Sequence, residues 1–421
     1  MKTLLKPIAF FQQQLQMLFK EGTFLEKLIF FFYLFSSIGL FVYSYTQIDL
    51  GLVITRIPRL YAIEKLFQQI GYFDRPLSTE IFLFLSAVFL VLYFCLWRFT
   101  TQKKIHSYTI WSIIGVITLI LTFSYNAFSY DFFNYIFDAK IITHYHQNPY
   151  LHKALDYPQD PMLGFMHWID RTYPYGPLWL VITAIISFIG ANIFIVTFFL
   201  FKILVSISFL FSLYYLYNIL GKINKTTMFE NFTLFALNPV VFYECLVSAH
   251  NDIVMMAFAL GAIYYLMQQK KYWLSIFLLI ISIGIKFATA ALIPIFIVVL
   301  LERHKKIFIK EEIYQYCLLL MLFPLLLVTN RTIFQPWYLL YILPFVSLLP
   351  NRFIRLFIIF LSSLSIFLYI PFLATGNWHS YWYTYPEKIA YWIIVAGVTY
   401  CSFYLLFNIS QIIRFRFDFN K

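Results

Sequence analysis

The chain has 421 residues, of which 62% are hydrophobic and only 12% charged, with a mean hydropathy of +0.76. Soluble domains carry roughly 25% charged residues, so a water-soluble fold of this length would have more apolar surface than it could hide. A formal net charge of +12 with no basic soluble domain to carry it fits basic loops on one side of a membrane and excludes nucleic acid as a partner.

Apolar runs long enough to cross a bilayer recur along the whole sequence. They predict an all-α integral membrane protein of about 12 spans, near 28–45, 80–97, 109–126, 193–218, 231–247, 252–268, 272–286, 288–301, 313–329, 336–350, 353–371 and 389–412. Lys2, Lys6 and Lys20 precede the first run and no small-residue cleavage site follows it, so it reads as a retained span and not a signal peptide. The stretch 177–190 is apolar but short and reads as a re-entrant or interfacial helix. The whole chain, 1–421, is expected to be one membrane domain. Cys95, Cys245, Cys317 and Cys401 all lie in or beside apolar runs. They read as small hydrophobes, with no disulfide framework.

Loop charge orients the bundle. With the N-terminus inside, 20 of the 31 Lys and Arg fall in inner segments and nine in the longer outer loops, while Lys202 and Lys286 fall within spans. This places the protein in the cytoplasmic membrane with both termini in the cytoplasm. Two outer loops are long, 46–79 and 127–176. Each carries apolar residues at helical spacing: Ile57, Leu60, Tyr61, Leu66, Phe67 and Ile70 in the first, and Phe132, Phe133, Ile136 and Phe137 in the second. Helices of this kind are expected to lie in the interface plane, apolar side down. Tyr and Trp crowd the outer ends, as at Trp378, Tyr381, Trp382 and Tyr383. No inverted repeat of the transporter type is present.

Polar residues beside spans are costly and mark function. Here the conspicuous ones share the outer side. Asp131 follows Ser129-Tyr130 at the end of the third span. Glu244 precedes an outer turn made of His250-Asn251-Asp252. Lys286 ends a span, and Asn330, Arg331, Gln335 and Trp337 form another turn. Each has a plainer reading. Asp131 and Asp252 could cap helices, His250 could be a satisfied loop histidine, Lys286 and Arg331 could snorkel, and Glu244 could pair within the bundle. Lys202 lies inside its span with no evident partner. His144 and His146 would be splayed by a helix and make a poor metal pair.

Several short motifs bring these residues into one order: Tyr130-Asp131 through Tyr135, Asp138-Ala139-Lys140, Asn148-Pro149-Tyr150, Tyr173-Pro174-Tyr175-Gly176-Pro177, Leu237-Asn238-Pro239, Glu244, His250-Asn251-Asp252, Ile285-Lys286 and Pro336-Trp337-Tyr338. Over roughly 109–345 this order resembles the polyprenol-phosphate-mannose-dependent mannosyltransferases of the GT-C glycosyltransferase superfamily. The resemblance implies a GT-C helical bundle, an outer-face active site, a polyprenyl-phosphate sugar donor, a glycolipid or glycan acceptor, and membrane lipids as surroundings. It also implies a catalytic aspartate in an outer loop, which maps onto Asp131. Many such enzymes keep that residue in the first outer loop, so Asp49, Glu64, Asp74 and Glu80 are rivals. No Asp-x-Asp pair stands near Asp131, so the sequence offers no definite metal site and no cofactor.

A phosphate-linked donor needs no strong general acid, because phosphate leaves readily. Inverting transfer then needs one carboxylate to take the acceptor's proton, a role for Asp131. Charge growing on the phosphate needs donors and cations, roles for His250, Asn251, Lys286 and Arg331. Tyr173, Tyr175 and Trp337 are expected to line the acceptor side, with Tyr130, Glu244 and Asp252 in support. Two rival classes remain: a flippase or transporter of lipid-linked saccharide, favoured only by Lys202, and a polysaccharide polymerase resting on Arg171 and Arg331.

Overall fold

The computed structural model describes residues 5–301 and 312–377. The expected span at 389–412, the aromatic group Trp378 to Tyr383 and the basic stretches 303–310 and 414–421 lie outside them. Among the described residues all regular structure is helical.

The first helix, α1 (Leu5–Glu21), was not anticipated as an element. It docks Phe10 and Phe11 edge-on against Trp111. Next comes α2 (Phe24–Thr46), opened by a capping box between Thr23 and Glu26. The Glu26 carboxylate is fully buried, and its second oxygen accepts from the His106 backbone N–H and the Thr109 hydroxyl, each at 2.7 Å. One carboxylate thus joins the start of α2 to the start of α5. The first long loop holds α3 (Pro58–Gln68), which leads through a π turn to α4 (Arg75–Thr101). After α5 (Ser107–Thr122) the chain runs irregularly to α6 (Asp131–Thr143).

The amphipathic pattern of 131–142 does give a helix, but not one lying on a surface. Phe132 through Ala139 and Ile141 are all buried. The polar side is covered by protein as well, because α6 packs under α7 (Pro177–Ile189) and against α8 (Phe194–Ile223). At about 1.5 Å per residue, the 13 residues of α7 fall short of a hydrocarbon core of about 30 Å.

The expected span 231–247 is broken. It contains α9 (Met228–Ala236), then Asn238, whose side chain accepts from the Val240 N–H at 3.1 Å, then α10 (Pro239–Phe242) continued by a π turn, Tyr243–Val247. An Asn cap followed by Pro at the first helical position restarts a helix in a new direction. The segment Pro239–Val247 meets Asp252–Gln269, which opens with α11 (Asp252–Tyr264), at a bend of 113°. Ala249 within the bend has a left-handed φ of 52°, a conformation that costs a non-glycine residue energy and needs surrounding support. Further on lie α12 (Tyr272–Ile285), α13 (Ile293–Leu301) and α14 (Glu312–Arg331). The expected span 336–350 is instead a 3-10 turn, Pro336–Tyr341, and the four-residue α15 (Leu343–Val346), nearly all buried. A last continuous rod combines α16 (Arg352–Leu364) and α17 (Ile370–Thr375) through a 3-10 turn.

Five described helices are long and apolar enough to cross a membrane, six if the bent pair is counted, and shorter apolar helices accompany them. The protein is a multi-pass helical membrane protein. Cys95 is exposed on α4, unlike the buried Cys245 and Cys317.

Candidate active site

The predicted residues converge where α6, the bend before α11, the end of α12 and the turn after α14 meet. Asp131 opens α6. Its N–H donates to the Ser129 hydroxyl at 3.3 Å, and its carboxylate makes no cap. Instead Oδ1 accepts from Arg171 Nη2 at 3.2 Å, with the aspartate side chain 17% exposed. The same guanidinium lies over the Trp168 ring, 5.3 Å from its centroid.

Seven residues on, and on nearly the same helical face, stands Asp138. It is buried, and burial raises its carboxyl to about 8, against the pull of Arg171 and with Asp131 adding to the rise.

Backbone joints set the rest of the wall. The Asn148 side chain accepts from the Tyr150 N–H, and Pro149 O accepts from the Tyr173 N–H at 2.9 Å. The Tyr150 hydroxyl donates to Tyr175 O at 3.1 Å. The Gly176 N–H donates to Ile285 O at 3.1 Å, and a Cβ at Gly176 would overlap the Gly284 carbonyl. Only glycine permits this approach, which presses the Tyr-Pro-Tyr-Gly-Pro loop onto the end of α12.

That contact positions Lys286. Its ammonium donates to Asp252 Oδ1 at 2.7 Å, and the rings of Tyr175, Tyr338 and Tyr341 surround it with centroids 5.8–5.9 Å away. Asp252 is fully buried and also makes no cap. Asn251 Oδ1 accepts from the Tyr135 hydroxyl of α6 at 3.4 Å. His250 is fully buried, stacked 4.0 Å from Trp337, with Nε2 3.5 Å from Glu244 Oε2. The other Glu244 oxygen accepts from Tyr369 at 2.7 Å.

The structure therefore brings Asp131, His250, Asn251, Asp252, Glu244 and Lys286 into one continuous region, but it separates the four expected phosphate ligands. Lys286 is paired, His250 lies under Trp337 and Asn251 faces Tyr135. Arg331 instead lines an open cleft with Arg171. Tyr173 and Tyr175 are buried and pack on each other and on Tyr150 and Tyr135, so neither ring face is open.

The first-loop rivals sort themselves. Glu64 accepts the Ile54 N–H, Asp74 caps α4 by accepting the Leu77 N–H, and Glu80 is exposed on α4. Asp49 alone reaches the site: the Tyr130 hydroxyl donates to its Oδ2 at 3.3 Å, and His167 stacks on Tyr130 at 3.5 Å. Tyr130 thus stands between Asp49 and the adjacent Asp131.

Two residues noted in the sequence find partners there that the sequence did not reveal. Arg171 had a role only under the polymerase alternative, yet it pairs with Asp131. Lys202, buried, donates to Ser124 Oγ at 3.2 Å and to the carbonyls of Leu246 and Val247, which end the turn before the bend. Nothing in its sequence neighbourhood signals backbone acceptors. Among the described residues no three His, Cys, Asp or Glu side chains converge as a metal cluster.

A polytopic helical bundle with a carboxylate paired to a guanidinium beside a cleft lined by Lys153 and Arg331 has the parts of a membrane transferase. A model of the family described as alpha-(1->6)-mannopyranosyltransferase, N-terminal domain, matches residues 40–303. The match covers well over half of the chain, and the protein belongs to that family. It is thus a mannosyltransferase-family membrane protein. No curated protein and no solved structure matches it.

Proposed function

We propose that the protein is an inverting GT-C transferase that moves mannose from a polyprenyl-phosphate donor to a glycolipid or glycan acceptor. The site lies at the outer face of the cytoplasmic membrane, in a single multi-span domain whose N-terminus is inside. One observation carries this reading: the partly exposed Asp131 carboxylate opens α6 beside Arg171, which also faces the cleft holding Arg331. The acceptor hydroxyl gives its proton to Asp131 as its oxygen bonds the anomeric carbon. The bond from that carbon to the phosphate oxygen breaks on the opposite face, and the phosphate leaves with the electron pair. Fixed cations stabilise the charge that collects there. Asp138 keeps its proton at neutral pH and is a poor base, while Asp49 is the alternative to Asp131.

Purified protein in detergent, given polyprenyl-phosphate mannose and acceptor, tests the reading. Asp131→Asn should abolish transfer while the fold persists, and Asp49→Asn should retain it. The reverse result moves the base to Asp49. A wild-type protein that transfers nothing without a second compartment would point to the flippase class instead.

A further inference from the structure

The cleft bordered by Arg171 has a volume of about 950 Å³ and is lined by Lys153, Asp156, Asp170, Arg171 and Arg331. Its cations outnumber its available carboxylates. Asp156 is taken by His152 at 3.4 Å and by the Lys153 backbone N–H. Among the described residues neither the Lys153 ammonium nor the Arg331 guanidinium enters an ion pair, although both line the cleft. Arg171 Nε is buried and unpaired as well. Cations left free around a cavity suit an anion, and two guanidinium forks suit the oxygens of a phosphate.

The helix below shows how such a phosphate would arrive. On α14, a helix long enough to cross a membrane, Phe323 and Leu327 are 62% and 53% exposed and Arg331 is exposed too. Steps of four residues put the three along one side of the helix. An apolar stripe ending in a cation matches a lipid chain ending in phosphate.

We propose that this cleft is the seat of the lipid phosphate, held by Arg331, Lys153 and Arg171, and that filling it turns Arg171 away from Asp131. Release of Asp131 Oδ1 would then couple donor arrival to readiness of the base. The proposal rests on the transferase reading and locates its donor phosphate away from the Lys286 pair.

The test uses the full chain in detergent, with farnesyl phosphate, farnesol and inorganic phosphate as probes. Farnesyl phosphate should bind, farnesol should not, and inorganic phosphate should bind more weakly. Arg331→Gln, at an exposed position, and Lys153→Gln, at a half-buried one, should each weaken farnesyl phosphate binding, by roughly tenfold to a hundredfold for the arginine. Unchanged binding in the double variant overturns the assignment. Inorganic phosphate binding as tightly as farnesyl phosphate overturns the lipid source. Binding should also change the emission of Trp168, isolated by comparison with Trp168→Phe, and binding without that change overturns the movement of Arg171. Sugar transfer measured in parallel separates the two readings. Turnover that survives with no phosphate bound in the cleft sinks this proposal alone. Phosphate bound through Arg331 and Lys153 with no transfer from any lipid-phosphate sugar sinks the transferase reading instead.

Discussion

Lys202→Met should loosen the bend that carries His250-Asn251-Asp252. The lysine is the ninth residue of α8 and is 1% exposed. Its ammonium sits at the carbonyl end of the turn Tyr243–Val247, where helix dipoles favour positive charge. Methionine keeps the volume and removes the three donors. The Leu246 carbonyl retains the Ser124 hydroxyl at 3.4 Å, so the chief loss is the Val247 carbonyl, which held the ammonium at 2.9 Å.

An orphaned buried carbonyl costs about 1–3 kcal/mol. Removing the ammonium also removes its own desolvation cost, which offsets part of that loss. The expected net destabilisation is therefore about 1 kcal/mol. Lys202→Ala adds a cavity and should cost more, on the order of 2–5 kcal/mol in total. Reversible unfolding in mixed micelles gives the stability, and transfer per folded molecule gives the activity. The bend positions Asp252 and through it Lys286, so turnover should fall further than the folded fraction. If Lys202→Met matches the wild type in stability, or if activity merely tracks the amount folded, the lysine does not organise the site.

Three further changes test other joints. Asp138 loses its proton near 3.8 when unfolded and near 8 when folded, chiefly through burial. The folded state binds the extra proton between those values, so stability should fall as pH rises from about 4 to about 8, by at most ~1.4 kcal/mol per unit; unfolding curves for Asp138→Asn should lose that slope. Lys286→Met strands the buried Asp252 carboxylate and should cost about 3–5 kcal/mol, most of it recovered when Asp252→Asn is added, whereas strictly additive losses would refute the pair. Gly176→Ala should cost roughly 1–3 kcal/mol through overpacking against Gly284, and an unchanged thermal midpoint would show that the close approach is not required.

Long apolar helices were legible because length and composition determine them: α2, α4, α8, α14 and the rod of α16 and α17 each hold a window that can face lipid. The misread apolar segments have one cause. An apolar run looks the same whether lipid or protein covers it. Hence 336–350 read as a span although Pro336–Tyr341 is buried as a short turn, and α6 read as interfacial although protein surrounds it. Asp131 stands out in the sequence because a carboxylate beside a span needs a reason. Its partner Arg171 lies 40 residues away, across a loop whose path no periodicity encodes. The break at Leu237-Asn238-Pro239 was visible as a cap and a proline, but the hydropathy of the flanking residues masked it.

The motifs that carry the family resemblance divide by what they do here. Asn148-Pro149-Tyr150 holds Tyr173 and Tyr175, Gly176 fastens that loop to Ile285, and Asn238-Pro239 restarts a helix toward the bend. These are joints, and their work is done with backbone atoms. Arg171 and Arg331 present charge to the cleft, and Asp131 is paired with Arg171 beside it. The joints therefore hold a frame that fixes where Asp131, Arg171 and Arg331 stand. The segment 151–172 runs between two of those joints and supplies much of the cleft's lining. Acceptor choice should then follow changes in that segment at Asp156 or Asp170, whereas changes at Lys153 should alter use of the donor.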